Sequence, residues 1–157
     1  MLVLLAASIG LPISWMVKDD WGKGPVGAII RQLGGVPIDR SAPHGMVGQM
    51  IDEMKRREEL YLVIPPEGTR KRTEYWKSGF YRIAVGADVP VVPGFLDYAS
   101  KTGGFGDPIY MTGDVAADMD KIRAVYTAVA ATPRYPDKFG PIRLREESEA
   151  IPGAHLK

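Results

Sequence analysis

Apolar residues along this chain fall into short blocks that suit strands and longer periodic stretches that suit helices. Met1 to Ile9 reads as the end of an apolar helix, and Ile13 to Val17 as a strand set between Gly10-Leu11-Pro12 and the polar run Lys18-Asp19-Asp20. Pro25 suits a helix start over Val26 to Leu33, which Gly34-Gly35 ends. Val36-Pro37-Ile38 can form only a short or edge strand, because Pro37 has no N–H for a ladder. From Pro43 to Glu59, Met46, Val47, Met50, Ile51 and Met54 recur with the helical period; Ser41 is the expected cap, and the charges from Asp52 to Glu59 form the solvated face. Leu60 to Ile64 is continuously apolar and predicts a strand buried on both faces. A helix over Ser78 to Gly86 and a buried strand over Val89 to Phe95 follow, with Ile109-Tyr110-Met111 as a further strand candidate. Asp114 is placed to cap a last helix carrying Val115, Met119, Ile122, Tyr126 and Val129 on one face. Prolines, glycines and charges from Thr132 onward predict an extended tail that wraps the domain. Strands alternating with helices predict an α/β class, a single-domain layered sheet flanked by helices over residues 1–157, with a core at 1–130 and a tail at 131–157.

The opening changes the picture slightly. Met1 to Val17 carries no charge, so it lacks the basic region of a signal peptide. It is barely long enough to cross a bilayer, and Gly10 and Pro12 interrupt it. A buried helix end running into a strand is the expected reading, ahead of an anchor. A domain that begins directly on core-quality residues is expected to be N-terminally incomplete. The 157 residues suit one domain, and hydrophobic and charged contents of 45% and 25% are those of a globular protein. A formal charge of +1 gives no global pull toward nucleic acid, which is not an expected partner, or toward anionic membrane. The absence of cysteine removes thiolate nucleophiles, disulfides and cysteine-metal sites together, and fits a cytoplasmic compartment.

Chemistry concentrates between Leu60 and Arg82. A strand is expected to end at Pro65-Pro66, and Glu67-Gly68-Thr69-Arg70 follows as a turn, where ligands of open α/β sheets are held. Gly68 allows close backbone approach, Thr69 offers a hydroxyl, and Arg70 offers a planar fork of donors for phosphate. Arg70, Lys71, Arg72, Lys77 and Arg82 place five positive charges in thirteen residues, against Glu74 alone. That predicts a local anion site. The same charges also fit an exposed loop that Glu67 neutralises, and composition does not choose between the two.

The Glu67-Gly68-Thr69-Arg70 block after an apolar strand and a proline resembles the third sequence block of the glycerol-phosphate and lysophosphatidate acyltransferase family. Gly35-Val36-Pro37-Ile38-Asp39-Arg40 is similar to the second block, although Pro37 departs from the aromatic or aliphatic residue common there. Val89-Pro90-Val91-Val92-Pro93 resembles the fourth. Their order and spacing carry the resemblance over most of residues 1 to about 130. It implies a glycerol-3-phosphate acyltransferase-like fold and transfer of a fatty acyl group from a thioester, acyl-CoA or acyl-carrier protein, to the hydroxyl of a phosphate-bearing glycerolipid. It implies that Arg40 and Arg70 hold the acceptor's phosphate and that Glu67, Gly68 and Thr69 shape the site. Lys77 and Gly79, in Trp76-Lys77-Ser78-Gly79, match the family's Lys-x-Gly. Val89, Pro90, Val91, Val92 and Pro93 would lie near the acyl pocket. No cofactor or metal is implied, and peripheral contact with the inner face of the membrane is expected.

The family's first block, His-x-x-x-x-Asp, supplies a general base and the carboxylate that orients it. Neither histidine fits it. His44 is followed five positions later by Gln49, and Asp52 lies two helical turns away, about 12 Å along the axis. His155 has no acidic partner in register. No catalytic residue is therefore assigned, and the chain alone is expected to be inactive, with the missing block upstream of Met1. The alternative is a non-catalytic module that keeps the phosphate and lipid site. Gly-x-Ser-x-Gly and P-loop spacings are both absent from the sequence. Trp15, Trp21, Tyr75 and Trp76 suit either a membrane-facing rim or the core, and the core is expected for most.

Overall fold

The computed structural model describes residues 10–39, 41–42, 45–69 and 71–147. Expectations for Met1 to Ile9, Arg40, Pro43, His44, Arg70 and His155 fall outside the described residues. Within them, the chain divides into two compact units, up to Ile64 and from Pro65 onward.

In the first unit, strand β1 (Ile13–Lys18) lies between β2 (Gly35–Ile38) and β3 (Tyr61–Leu62) in a parallel sheet. Trp15 pairs with Gly35 and Lys18 with Ile38 on one side; Ile13 pairs with Tyr61 and Ser14 with Leu62 on the other. Parallel strands need long connections. Helices α1 (Gly24–Gln32) and α2 (Gly45–Arg56) supply them. Pro25 sits in the first turn of α1 as expected. A 3-10 turn at Asp19–Gly22 precedes it, and a Cβ on Gly27 would stand 2.0 Å from the Gly22 carbonyl oxygen, so the turn closes directly onto the helix. Met50 is wholly buried and Val36 and Ile38 nearly so. Burial on that scale contributes roughly 1.5–3 kcal/mol per large apolar side chain. On α1, Val26 and Ile29 are instead exposed, as are Leu33 just after it and Trp21 before it.

The first unit corrects two expectations. Ser41 does not cap α2: its hydroxyl and amide both donate to Asp39 Oδ1, at 2.6 and 2.8 Å. Leu60 to Ile64 is not a strand buried on both faces. Only Tyr61 and Leu62 pair regularly, and Tyr61 is exposed. The Val63 amide adds one bond to Ser14 O at 2.9 Å before Pro65 and Pro66, which have no N–H, end the ladder.

In the second unit, helices α3 (Gly79–Ala87) and α4 (Val115–Val129) accompany an antiparallel hairpin of β4 (Gly94–Asp97) and β5 (Thr102–Phe105). Phe80, Tyr81, Ile83 and Ala84 of α3 are buried, as are Met119 and Ile122 of α4. Asp114 caps α4 as expected, accepting from the Ala117 amide at 3.1 Å. The strand expected over Val89 to Phe95 is displaced toward β4. Pro90 and Pro93 cannot donate, so before Gly94 only Val91 pairs, exchanging two 2.8 Å bonds with Ile109. Ile109 is likewise the paired residue of Ile109-Tyr110-Met111. The hairpin turn is organised by Asp97, whose carboxylate accepts from the Ala99 and Ser100 amides, the Ser100 hydroxyl and, from beyond α4, the Thr132 amide at 2.9 Å. The Ser100 hydroxyl first, then the Thr132 amide, holds the Asp97 carboxyl down at about 2. The described part of the tail is anchored rather than merely extended: Leu144 is 1% exposed.

Candidate functional site

Beyond β3 the two prolines turn the chain. The Gly68 amide donates to Pro65 O at 3.2 Å, closing a four-residue turn, and Gly68 takes φ +64°, where a side chain is strained. Glu67 is half-buried there, and loss of water pushes its carboxyl pKa up. Its carboxylate has no hydrogen-bond or ion-pair partner among the described residues. Thr69 Oγ1 accepts from the Lys71 amide at 3.2 Å, which stiffens the next step of the loop.

Lys77 locks onto this turn twice. Its amide donates to Pro66 O at 2.7 Å, and a Cβ on Gly68 would meet Lys77 Cγ at 3.2 Å, so the lysine stem lies against the glycine face. Lys71, Arg72 and Lys77 are all exposed, with no ion-pair partner among the described residues. The acid nearest in sequence, Glu74, is taken by Arg143 at 2.8 Å. Among the described residues the loop's charge is thus not neutralised from within, which favours an anion site over a self-paired surface loop.

The other sequence-predicted residues are placed as follows. Pro93 is buried, Val89, Pro90 and Val91 are half-buried, and Val92 is exposed. Val89 donates to Ala84 O as the chain leaves α3 through Asp88, at φ +55°. Pro93 O accepts from the Gly106 amide at 2.8 Å. Asp39 is gripped from α2: Gln49 accepts from its amide at 3.0 Å and donates to its carbonyl. Bonds from the Ser41 hydroxyl and amide keep the Asp39 carboxyl below its usual range.

Sequence reasoning missed two supports. The first is Asp118, a fully buried carboxylate that accepts from Tyr81, Thr112, Gly113 and Lys121. Burial and the Asp118 bond push the Tyr81 phenol pKa up. The second is the segment 140–147, which lies along residues 73–78. The Trp76 amide donates to Arg143 O at 2.8 Å, and Trp76 and Leu144 form a parallel bridge. The Trp76 ring packs edge-on against Phe80 and Tyr126, and its buried Nε1–H has no acceptor among the described residues. Among the described residues, no cluster of three His, Asp or Glu side chains is arranged for a metal.

The Acyltransferase family model matches residues 1–96, a span that enters both units. The crystal structure of the 1-acyl-sn-glycerophosphate (LPA) acyltransferase PlsC from Thermotoga maritima is similar, with a TM-score of 0.52 and 19% identity, over 83% of this chain and 62% of that one. The chain thus spans 62% of the length of that protein, and at such identity the likeness is one of fold. No curated protein matches the sequence.

Proposed function

The chain belongs to the Acyltransferase family, and from that membership we propose that it serves transfer of a fatty acyl group from a thioester to the hydroxyl of a phosphate-bearing glycerolipid. In such a transfer the hydroxyl oxygen attacks the thioester carbonyl, the C–O bond forms, the C–S bond breaks, and the hydroxyl proton passes by way of a base to the leaving thiolate. The observation that carries the reading is the Pro65–Gly68 turn with Lys77 locked against it and, among the described residues, the cations Lys71, Arg72 and Lys77 left without ion-pair partners. In the proposal, Lys77 and Arg70 bind the acceptor phosphate, Glu67, Gly68 and Thr69 shape the approach, and Val89 to Pro93 lie toward the acyl chain. Arg40, from the second block, is assigned to the same phosphate by resemblance. The donor is an acyl-CoA or acyl-carrier protein.

No helix of the described residues is long and apolar enough to cross a membrane. The exposed Trp21, Val26, Ile29 and Leu33 support peripheral contact with a bilayer.

The 157 residues hold no His-x-x-x-x-Asp block. Glu67 is made more basic by burial, yet a carboxylate remains a poor base for an alcohol at neutral pH. We therefore expect this chain by itself to bind but not to turn over. The alternative, a phosphate-binding module without catalysis, rests on the same absence.

Titrating inorganic phosphate into the ¹⁵N-labelled chain and following the Gly68 and Lys77 amides tests the site. Lys77→Ala should weaken binding about tenfold, the scale of one charge-assisted bond. Unchanged affinity would remove Lys77 from the site. Acyl transfer by the chain alone, from acyl-CoA to lysophosphatidate, should stay at background; measurable turnover would mean another residue supplies the base.

A further inference from the structure

Residues 73–78 join the proposed phosphate loop to α3, and nearly every one of them is held by the segment 140–147. A Cβ on Gly140 would stand 2.1 Å from Thr73 O, so the two backbones are in direct contact. Arg143 donates through Nε to Glu74 O at 3.0 Å and ion-pairs with the Glu74 carboxylate. The Arg143 and Arg145 guanidiniums both lie over the Tyr75 ring, at 4.6 and 5.4 Å. Trp76 gives its amide to Arg143 O, and the Glu146 carboxylate lies beside the Ser78 side chain. Lys77 is the exception. It turns instead to Pro66 and Gly68, on the loop.

The holding segment is itself tied down. Arg123 of α4 donates to Ile142 O at 3.0 Å and pairs with Glu147 at 2.7 Å, Arg82 of α3 pairs with Glu146 at 3.4 Å, and Leu144 is buried in the core. A chain of contacts therefore runs from α4 through 140–147 to the backbone on both sides of Lys77.

We propose that residues 140–147 act as a strap that positions Lys77, with Arg143 as the principal positioning residue and the Lys77 ammonium as the group positioned. This rests on the reading of Lys77 as an anion ligand only for its consequence in binding; the mechanical part stands by itself. A flexible lysine loses affinity through the entropy of placing it, and a strap that fixes the backbone at 76 and 78 removes part of that cost before the anion arrives.

Hydrogen exchange and phosphate titration of the full chain test the two parts separately. In Arg143→Ala, the Lys77 and Gly68 amides should exchange about tenfold faster while those of Met119 and Ile122 in α4 keep their protection. Unchanged exchange at Lys77, or equal acceleration in α4, would overturn the strap. Should Arg143→Ala fail to fold, Glu146→Gln loosens the same stretch from the Ser78 side and is read by the same amides.

For phosphate, Arg143→Ala should weaken binding about fivefold in the presence of Lys77 and have no further effect on a Lys77→Ala background, the pattern of a residue acting through another. Additive losses would overturn the assignment by making Arg143 an anion contact in its own right. If Lys77→Ala leaves phosphate affinity unchanged while Arg143→Ala still frees the Lys77 amide, the strap stands and the anion-site reading falls.

Discussion

Removing the carboxylate of Asp118 tests what organises the second unit. Asp118 is fully buried and accepts from the Tyr81 hydroxyl at 3.0 Å, the Thr112 amide at 2.6 Å and hydroxyl at 3.0 Å, the Gly113 amide at 3.2 Å and the Lys121 ammonium at 3.0 Å. Burial pushes its pKa up, but the bonds from Lys121, Thr112 and Tyr81 outweigh that and hold it below the usual 3.8. In Asp118→Ala the Tyr81 hydroxyl, on a residue 7% exposed, loses its acceptor, which costs about 1–3 kcal/mol. Thr112 and Gly113 are exposed, so their amides regain water. The Lys121 side chain is 46% exposed, so its ammonium turns outward instead of remaining as a stranded charge. The full cost of breaking a buried pair therefore does not apply, and we expect a loss of about 3 kcal/mol, at the low end of its range.

Tyr81→Phe removes one donor among several and should cost about 1–2 kcal/mol. Urea unfolding at pH 7 of both single variants and the double should give these values with unchanged m, and a coupling between the two sites. The pH dependence carries the sign. A carboxylate depressed by folding contributes stability that is complete above its unfolded value, near 3.8, and is lost as pH falls through the lower folded value. The gap between wild type and Asp118→Asn should therefore stay level from about pH 7 to pH 5 and close below about pH 4. If burial had won, Asp118→Asn would match or exceed wild type at pH 7, and the gap would move in favour of wild type on acidification. That result would refute the reasoning.

Gly68→Ala places a Cβ at φ +64° and 3.2 Å from Lys77 Cγ; it should cost about 1–2 kcal/mol in urea unfolding and weaken phosphate binding. Stability equal to wild type would show that the turn relaxes freely. For Asp97, NMR titration of the side-chain carboxyl should give a midpoint near 2, moving up toward the ordinary value in Ser100→Ala, the variant that deletes the largest cause of the shift. Its stabilisation of the hairpin turn is complete above the ordinary pKa of 3.8 and lost as pH falls toward 2. A midpoint near 3.8 in wild type would show that the Ser100 and Thr132 bonds do not form in solution.

Helices were legible where one side of a period had to be buried. Met50 at the centre of its stripe and Met119 and Ile122 on theirs are nearly or wholly buried, as the spacing demands. Strands were legible only as apolar blocks, since hydrophobic content does not say which N–H groups find partners. Leu60 to Ile64 and Val89 to Phe95 both read as strands, and in both the prolines limit pairing to fewer residues than the apolar run contains. The hairpin after Pro93 was missed because Thr102-Gly103-Gly104-Phe105 lacks the alternation of a strand, while its turn depends on Asp97 bonds with Thr132, 35 positions away. At the candidate site, the turn at Gly68 and the role of its glycine follow from local chemistry. Leu144 and Arg143 do not, because a buried leucine in a stretch of charges and prolines carries no period that points to its partner.

The electrostatics of the basic stretch show why composition alone left two readings open. Counted along the chain, Glu67 and Glu74 are near enough to compensate neighbouring cations. In the structure Glu74 goes to Arg143, and Glu67 has no ion-pair partner among the described residues. Arg82 goes to Glu146 at the other end. An exposed pair such as Arg143–Glu74 contributes only about 0–1 kcal/mol to stability. Its larger effect is on the field: it removes the carboxylate that would compete with an incoming phosphate for Lys71, Arg72 and Lys77. The tail, which contributes both Arg143 and Glu146, thus separates charges that are adjacent in sequence and, among the described residues, leaves Lys71, Arg72 and Lys77 without a carboxylate partner, as the proposed anion site requires.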